Sequence, residues 1–490
     1  MHRVIGFNKI VNGKILLVTL FAVAAYGVGR LIGYSEYTNK EFFLFAILMI
    51  CFVLVILNFS EPIIFAVLLL STDNLKFMAL HELPGLQLGP GLFFNLRDLL
   101  LIILFLFSLH KLRTNSYIPI FTGPIIAIFT IALINLGISV FSDITTLSGG
   151  RGLNLLRNFF AYSFYFSLVT HMDSQVKVKR TILFIILICL GALGIQVAEG
   201  LSGEKFFIQS SEMAESQYFG TGARILIENE QVLYNWNRAA PFTFFAMFLC
   251  YGASLFSSGY VLLILPFLMF IGIAWGFSRI WYIMTAVGLL IMIILNSQSG
   301  KLRKLLVRTG LVIILIIIFL GITVPTTTSP GEDLSDLVWN RFLTVFQPSQ
   351  EESFIGRTIL IKEIWDSFIE NPLIGLGFDP KNLNLDLGVM TTLSLLGLPG
   401  LVAILWLVLS MLKWTWRLQK MTASPLVRGA SHGIIASIFG IMVGYSFSWD
   451  FFTRPEGIFL ITFICYLIER RMYFYKNGTQ PQHFPTRNGC

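Results

Sequence analysis

The sequence predicts an all-α polytopic membrane protein of about 12 to 14 transmembrane helices with a large helical loop on the outer face. Three observations predict it. The 490 residues are 55% hydrophobic and only 13% charged, with a mean hydropathy of +0.76, which excludes a string of soluble domains. The apolar residues gather into runs of roughly 17 to 25, the length a bilayer demands. The charges between those runs are sorted, because alternate connections hold 20 Lys+Arg against 3 acids and the others 15 against 24. Cytoplasmic loops retain Lys and Arg, so the first set lies inside with both termini, and the net charge of +8 is a matter of topology. No nucleic-acid surface is implied.

In order along the chain, spans are expected near 15–33, 41–58, 60–78, 92–109, 118–141, 155–170, 181–199, 239–256, 259–277, 279–296, 309–324, 387–412, 430–449 and 456–470. The count falls toward 12 if the runs at 60–78 and 155–170 do not cross. Clusters such as Lys177, Lys179 and Arg180, or Lys301, Arg303, Lys304 and Arg308, fix the inner reversals. The organisation that follows is an N-terminal bundle (1–199), a first long outer loop (200–238), central helices (239–324), a large outer loop (325–386), C-terminal helices (387–470) and a cytoplasmic tail (471–490). The first apolar run lacks a small-residue cleavage pattern and reads as a retained span. The tail, rich in Asn, Gln, Pro and Thr after Lys476, reads as disordered.

Chemistry is expected in the outer loops, since the inner turns are too short for a folded domain. The segment GRTILIKEIWDSFIENPLIGLGF, from Gly356 to Phe378, places Ile361, Ile364, Trp365 and Phe368 at helical spacing, with Arg357, Lys362 and Glu363 around the rest. Pro372, Gly375 and Gly377 end that helix. The outer face carries 10 Arg to 5 Lys, where the inner face has 10 of each. Guanidinium forks bind phosphate oxygens bidentately and stay protonated, which suits a lipid diphosphate. Arg238 and Arg279 stand at the mouths of spans, where a cation is costly unless paired or wetted, and Arg341 and Arg357 lie in the large loop. Snorkelling to lipid headgroups is the bland alternative for each.

A general base would come from a carboxylate, because neither long outer loop contains a histidine. The local acids are Glu351, Glu352, Glu363, Asp379, Asp450 and Glu456, of which Glu352 and Asp379 are taken as the catalytic candidates. Arg97 and Asp98 read as a local ion pair at a helix start. Cys51, Cys189, Cys250, Cys465 and Cys490 form no disulfide framework, and neither a metal-ligand spacing nor a phosphate loop occurs. No metal and no cofactor are therefore expected.

Arg238 before a span with Pro241, the Ser278–Arg279 pair, Gly356 and Arg357 with Trp365, Asn371, Pro372, Gly375 and Gly377, and the run LSLLGLPGLVAILWL together resemble the O-antigen ligase and polymerase superfamily. The resemblance covers roughly residues 150 to 470. It implies a metal-independent, GT-C-like membrane glycosyltransferase in the bacterial inner membrane, working at the periplasmic face. Its donor would be an undecaprenyl-diphosphate-linked glycan and its acceptor a glycan lipid, with a chain-length regulator or flippase as a protein partner. By that similarity, Arg279 and Arg357 are catalytic, gripping the diphosphate and stabilising its charge as it leaves. Arg238, Arg341, Lys362, Trp365, Trp281 and Tyr282 are the substrate-binding expectations. Family ligases commonly carry a His-Asn pair after the Gly-rich turn. Here FDPKNLNLDLGVMTTL has Asn382 and Asn384 and no His, which favours polymerisation of repeat units over ligation to lipid A core or protein. A transporter is the non-enzyme alternative, opposed by spans almost free of charge at their centres.

Overall fold

The computed structural model describes residues 39–57, 59–71, 86–89, 92–115, 118–141, 151–202, 225–228, 231–234, 239–256, 261–275, 279–297, 302–310, 388–447 and 450–476, and parts of 359–377. The apolar runs fold as helices: α1 (Asn39–Ile56), α2 (Glu61–Ser71), α3 (Leu96–Asn115), α4 (Thr122–Phe141), α5 (Arg151–Phe160), α6 (Phe164–His171), α7 (Gln175–Ser202), α8 (Ala240–Phe256), α9 (Val261–Trp275), α10 (Arg279–Ser297), α11 (Gly388–Met421), α12 (Pro425–Phe447) and α13 (Pro455–Lys476). Among the described residues, four helical segments are long and apolar enough to cross a membrane: Gln175–Ile195, Ile280–Ser297, Gly388–Met421 and Pro425–Phe447. The protein is an all-α, multi-pass membrane protein.

Several details depart from a uniform set of spans. Of the run at 60–78, Glu61–Ser71 is helix, and 72–78 lie outside the described residues. That at 155–170 is α5 and α6 joined by a 3-10 turn at Ala161–Ser163. Two short antiparallel hairpins accompany the helices: β1 (Leu86–Gly89) with β2 (Leu92–Phe94), and β3 (Ile225–Glu228) with β4 (Gln231–Tyr234), the latter inside the first long loop. The expected spans at 15–33 and most of 309–324, and the tail beyond Lys476, lie outside the described residues.

The packing centres on α13. Every residue from Gly457 to Arg470 is buried, as expected of a helix surrounded by others rather than by lipid. Its polar atoms are satisfied by distant parts of the chain. The Glu469 carboxylate accepts the Ile120 N–H at 2.9 Å and the Tyr165 hydroxyl at 3.0 Å, and the Tyr466 hydroxyl donates to the Met172 carbonyl at 3.1 Å. Such pairing is what makes polar groups tolerable in an apolar interior.

A second axis is α12, which packs on α8, α10 and α11. Gly429, Gly433, Gly440 and Gly444 repeat as two small-xxx-small pairs along it, and such pairs let helix backbones approach closely. A Cβ built on Gly252 of α8 would lie 2.9 Å from the Gly433 nitrogen, and one on Gly440 would lie 2.9 Å from the Met284 carbonyl oxygen of α10. These contacts also fix direction. Gly252 meets Gly429 while Phe244 meets Gly440, and Met284 meets Gly444 while Asn296 Oδ1 meets His432 Nδ1 at 3.1 Å. Both α8 and α10 thus run antiparallel to α12, and their N-termini share one end of the bundle.

The opposite end is rich in cations. Lys304 and Arg308 donate to the carbonyls of Leu255 (2.8 Å) and Ser254 at the C-terminus of α8, where a positive charge complements the helix dipole. Lys177 bridges the Asp173 carboxylate at 3.0 Å and the His171 carbonyl at 2.8 Å. Burial, with Lys111 3.3 Å from Nδ1, pushes the His171 imidazole down to about 3.

Candidate functional site

The site is assembled where α8, α10 and α11 begin. Helix α11 is two helices joined across a kink at Gly397, whose φ of 63° and ψ of −168° fall in a region that essentially only glycine occupies. The turn at 371–375 sits on that interruption. Gly375 (φ 71°) and Gly377 (φ 69°) shape it, and the Leu398 N–H, freed by the break, donates to the Pro372 carbonyl at 2.9 Å. Close approach is reciprocal. A Cβ on Gly397 would lie 3.0 Å from the Ile374 nitrogen, and one on Gly375 would lie 3.0 Å from the Ser394 carbonyl carbon.

Asn135 of α4 locks the two pieces together. Its Nδ2 donates to the carbonyl of Ile374 at 3.0 Å and to that of Leu395 at 3.1 Å, so one buried amide serves both the turn and the broken helix. Asn135→Ala is expected to destabilise the turn by about 1–2 kcal/mol and to raise protease sensitivity around Leu373 before the bundle melts. Limited proteolysis against thermal melting of the whole protein checks this. Nearby, the Tyr445 hydroxyl donates to Thr392 Oγ1 at 2.5 Å and ties α12 to the first piece of α11.

The preceding residues are helical in part between 359 and 370. Of the predicted apolar face, Ile364 and Phe368 are buried, whereas Trp365 is 46% exposed with its ring tilted against Phe368 at 5.6 Å. Lys362 is exposed. Trp281 is buried between Phe244 (5.8 Å) and Phe451 (6.2 Å), so its ring packs within the bundle, and Tyr282 beside it is half-buried.

Arg279 is the first residue of α10, and its side chain is not among those described. Ala239 and Ala240, next after Arg238, open α8 at the same end. Arg238, Arg341, Glu352, Arg357 and Asp379 themselves lie outside the described residues. What the fold brings together is therefore the start of α8, the start of α10 and the 371–377 turn. The α3 start adds a charged cluster at this end. Asp98 is engaged by Arg97 at 3.1 Å and, beyond the expected pair, by Arg157 at 3.5 Å, while Arg97 lies over the Phe459 ring at 5.4 Å. Asp450 is not a solvated acid: it is buried and accepts the N–H groups of Phe452 and Thr453 at 3.2 and 3.0 Å, closing the turn before α13.

Sequence reasoning missed Asn135, Thr392, Tyr445 and the helix break. The break had a visible signal, Gly397 and Pro399 within an apolar run, whereas Asn135 had none in a span that is otherwise apolar.

No curated protein matches the chain significantly. Residues 262–387 match the family described as O-Antigen ligase, a segment that begins in α9, contains all of α10 and the 371–377 turn, and stops at the start of α11. That segment, 262–387, is similar to the O-antigen ligase/polymerase superfamily.

Proposed function

We propose that the protein polymerises undecaprenyl-diphosphate-linked oligosaccharide repeat units at the periplasmic face of the bacterial inner membrane. Members of the superfamily are membrane enzymes of the glycosyltransferase type. The observation that supports the reading is that α8 and α10 begin at the end of the bundle where the 371–375 turn sits on the break in α11.

Electrostatics supports a diphosphate there. A cation at the first position of a helix faces the positive end of the helix dipole, so Arg279 is placed against its own electrostatic preference unless an anion lies between them. A diphosphate fills that role in the donor, and more so in the departing carrier, whose charge grows as the glycosidic bond to phosphate breaks. Arg357 and Arg238 share the grip in this reading, Arg341 and Lys362 extend it, and Trp365 borders the lipid. Glu352 or Asp379 takes the proton from the acceptor hydroxyl. The absence of a His-Asn pair after Gly377 is what favours repeat-unit polymerisation over ligation.

The test is turnover of an undecaprenyl-diphosphate oligosaccharide by the purified protein without added metal or nucleotide, resolved on a gel. Ladders are expected from the wild type, with a loss of about 10²-fold or more in Arg279→Ala and in Arg357→Ala. Arg357→Lys is expected to recover little, since a point charge does not reproduce a bidentate fork. A single shifted band that needs an acceptor would assign the ligase reaction instead, and undiminished ladders in Arg279→Ala would remove that residue from the site.

A further inference from the structure

At the other end of the bundle a groove of about 350 Å³ opens between α3, α4 and the 3-10 turn before α6. That is within the range of small-ligand sites, roughly 300–1,000 Å³. Leu109 and Leu112 of α3 form one wall, Ile126 of α4 the other, and Phe160 the floor. Leu109 is 46% and Ile126 52% exposed, so the groove is open on the side a bilayer would cover. It shares α3, α4 and α5 with the candidate site, but none of the side chains named there lines it.

Two features make this more than a lipid-facing surface. Thr122 and Ser163 both line the groove, and their hydroxyls are buried with no hydrogen-bond partner. Ser163 as a residue is only 7% exposed. A buried hydroxyl left unpaired is costly, so these two donors suit an occupant that brings oxygen acceptors into an otherwise apolar slot. Positive charge lies one helical turn beyond the lining. Arg113 follows Leu109 by four residues on the same face of α3, is exposed, and makes no ion pair among the described residues, with His110 and Lys111 in the same turn. Asp173, a carboxylate at this end, is held by Lys177.

We propose that the groove binds an acyl chain of an anionic phospholipid from the leaflet at the cation-rich end, with the phosphate on Arg113 and an ester oxygen received by the Thr122 or Ser163 hydroxyl. A polyprenyl chain would fill the apolar volume but offers no oxygen to those hydroxyls. This site is separate from the glycan site and does not depend on the reaction assigned there.

The experiment is native mass spectrometry of the full-length protein released from detergent micelles doped with equal phosphatidylglycerol and phosphatidylethanolamine of identical acyl chains. Wild type is expected to retain phosphatidylglycerol about fivefold over phosphatidylethanolamine, the factor one cation near an anionic headgroup supplies. Arg113→Gln should erase that preference while still carrying lipid. Ile126→Trp, which fills the slot from the bilayer side, should remove most of the bound lipid, and Thr122→Val supplies the same reading if the tryptophan variant does not purify as a single species. Equal retention of both headgroups by the wild type, unchanged retention in the groove variants, or preferential displacement by undecaprenyl phosphate would overturn the proposal. So would a wild type that carries no lipid, as when another segment of the chain fills the slot.

Discussion

Gly433→Ala is expected to prevent stable assembly of the membrane bundle, although the same change at Gly191 is expected to be neutral or mildly stabilising. Both glycines are helical, and alanine improves helix propensity at each by about 0.5–1 kcal/mol. Their surroundings decide the sign. A Cβ on Gly191 meets nothing within 4 Å, whereas one on Gly433 falls on the backbone carbonyl of Phe248, which has no rotamer through which to yield. The neighbouring Gly252 and Gly429 are in the same position toward each other's carbonyls, so α8 cannot slide to relieve the strain without losing a second contact. Overpacking of this kind costs about 3 kcal/mol or more, beyond what propensity returns. Thermal melting followed by size exclusion, run on both variants in parallel, reads the difference directly; equal melting points would mean that the helices part easily and that the glycine seam is not the reason they approach.

Gly397→Ala is expected to cut glycan transfer by more than about 10²-fold while leaving the α8–α12 seam intact. The added methyl group meets two penalties. The conformation at 63°, −168° is worth about 1–3 kcal/mol against any L side chain, and the methyl would press on the carbonyl of Leu373 in the turn. Either the helix straightens or the turn is displaced. Both outcomes move the 371–377 segment relative to α10 by the order of an ångström, which is enough to misplace the diphosphate that the proposed function puts between arginines of separate elements. Turnover of the lipid-linked substrate, together with the melting point, checks the claim. Normal turnover would show that the interruption is a packing accommodation with no part in catalysis.

The helical membrane fold was legible because bilayer thickness imposes a length on apolar runs, and that length survives in a single sequence. The helices at 39–56, 240–256, 279–297 and 425–447 accordingly lie within a few residues of the apolar runs. The same regularity hid other features. The β3–β4 hairpin lies in a loop judged only by its length, and the interruption at Gly397 is averaged away inside 34 residues of high hydropathy. Gly429, Gly433, Gly440 and Gly444 spell out a close helix seam, but a search for chemistry passes over glycine. The arginine-based reading of the site drew on residue type and position at span mouths, which a sequence records. The partnership of Asn135 with Ile374 and Leu395, separated by 239 and 260 residues, is a product of packing and leaves no local trace.

The burial of α13 has a consequence in time. Ribosomes deliver this helix after all the other described helices, yet it occupies the middle of the bundle and receives Ile120 and Tyr165 on Glu469 across 349 and 304 residues. Until it arrives, the Ile120 amide, the Tyr165 hydroxyl and the faces of α6 and α11 that will meet it must wait in the bilayer without that partner. The nascent protein thus lacks its most enclosed helix until the last described segment is inserted, and the interval between insertion of α12 and packing of α13 is when exposed surface gives quality-control proteases their opportunity.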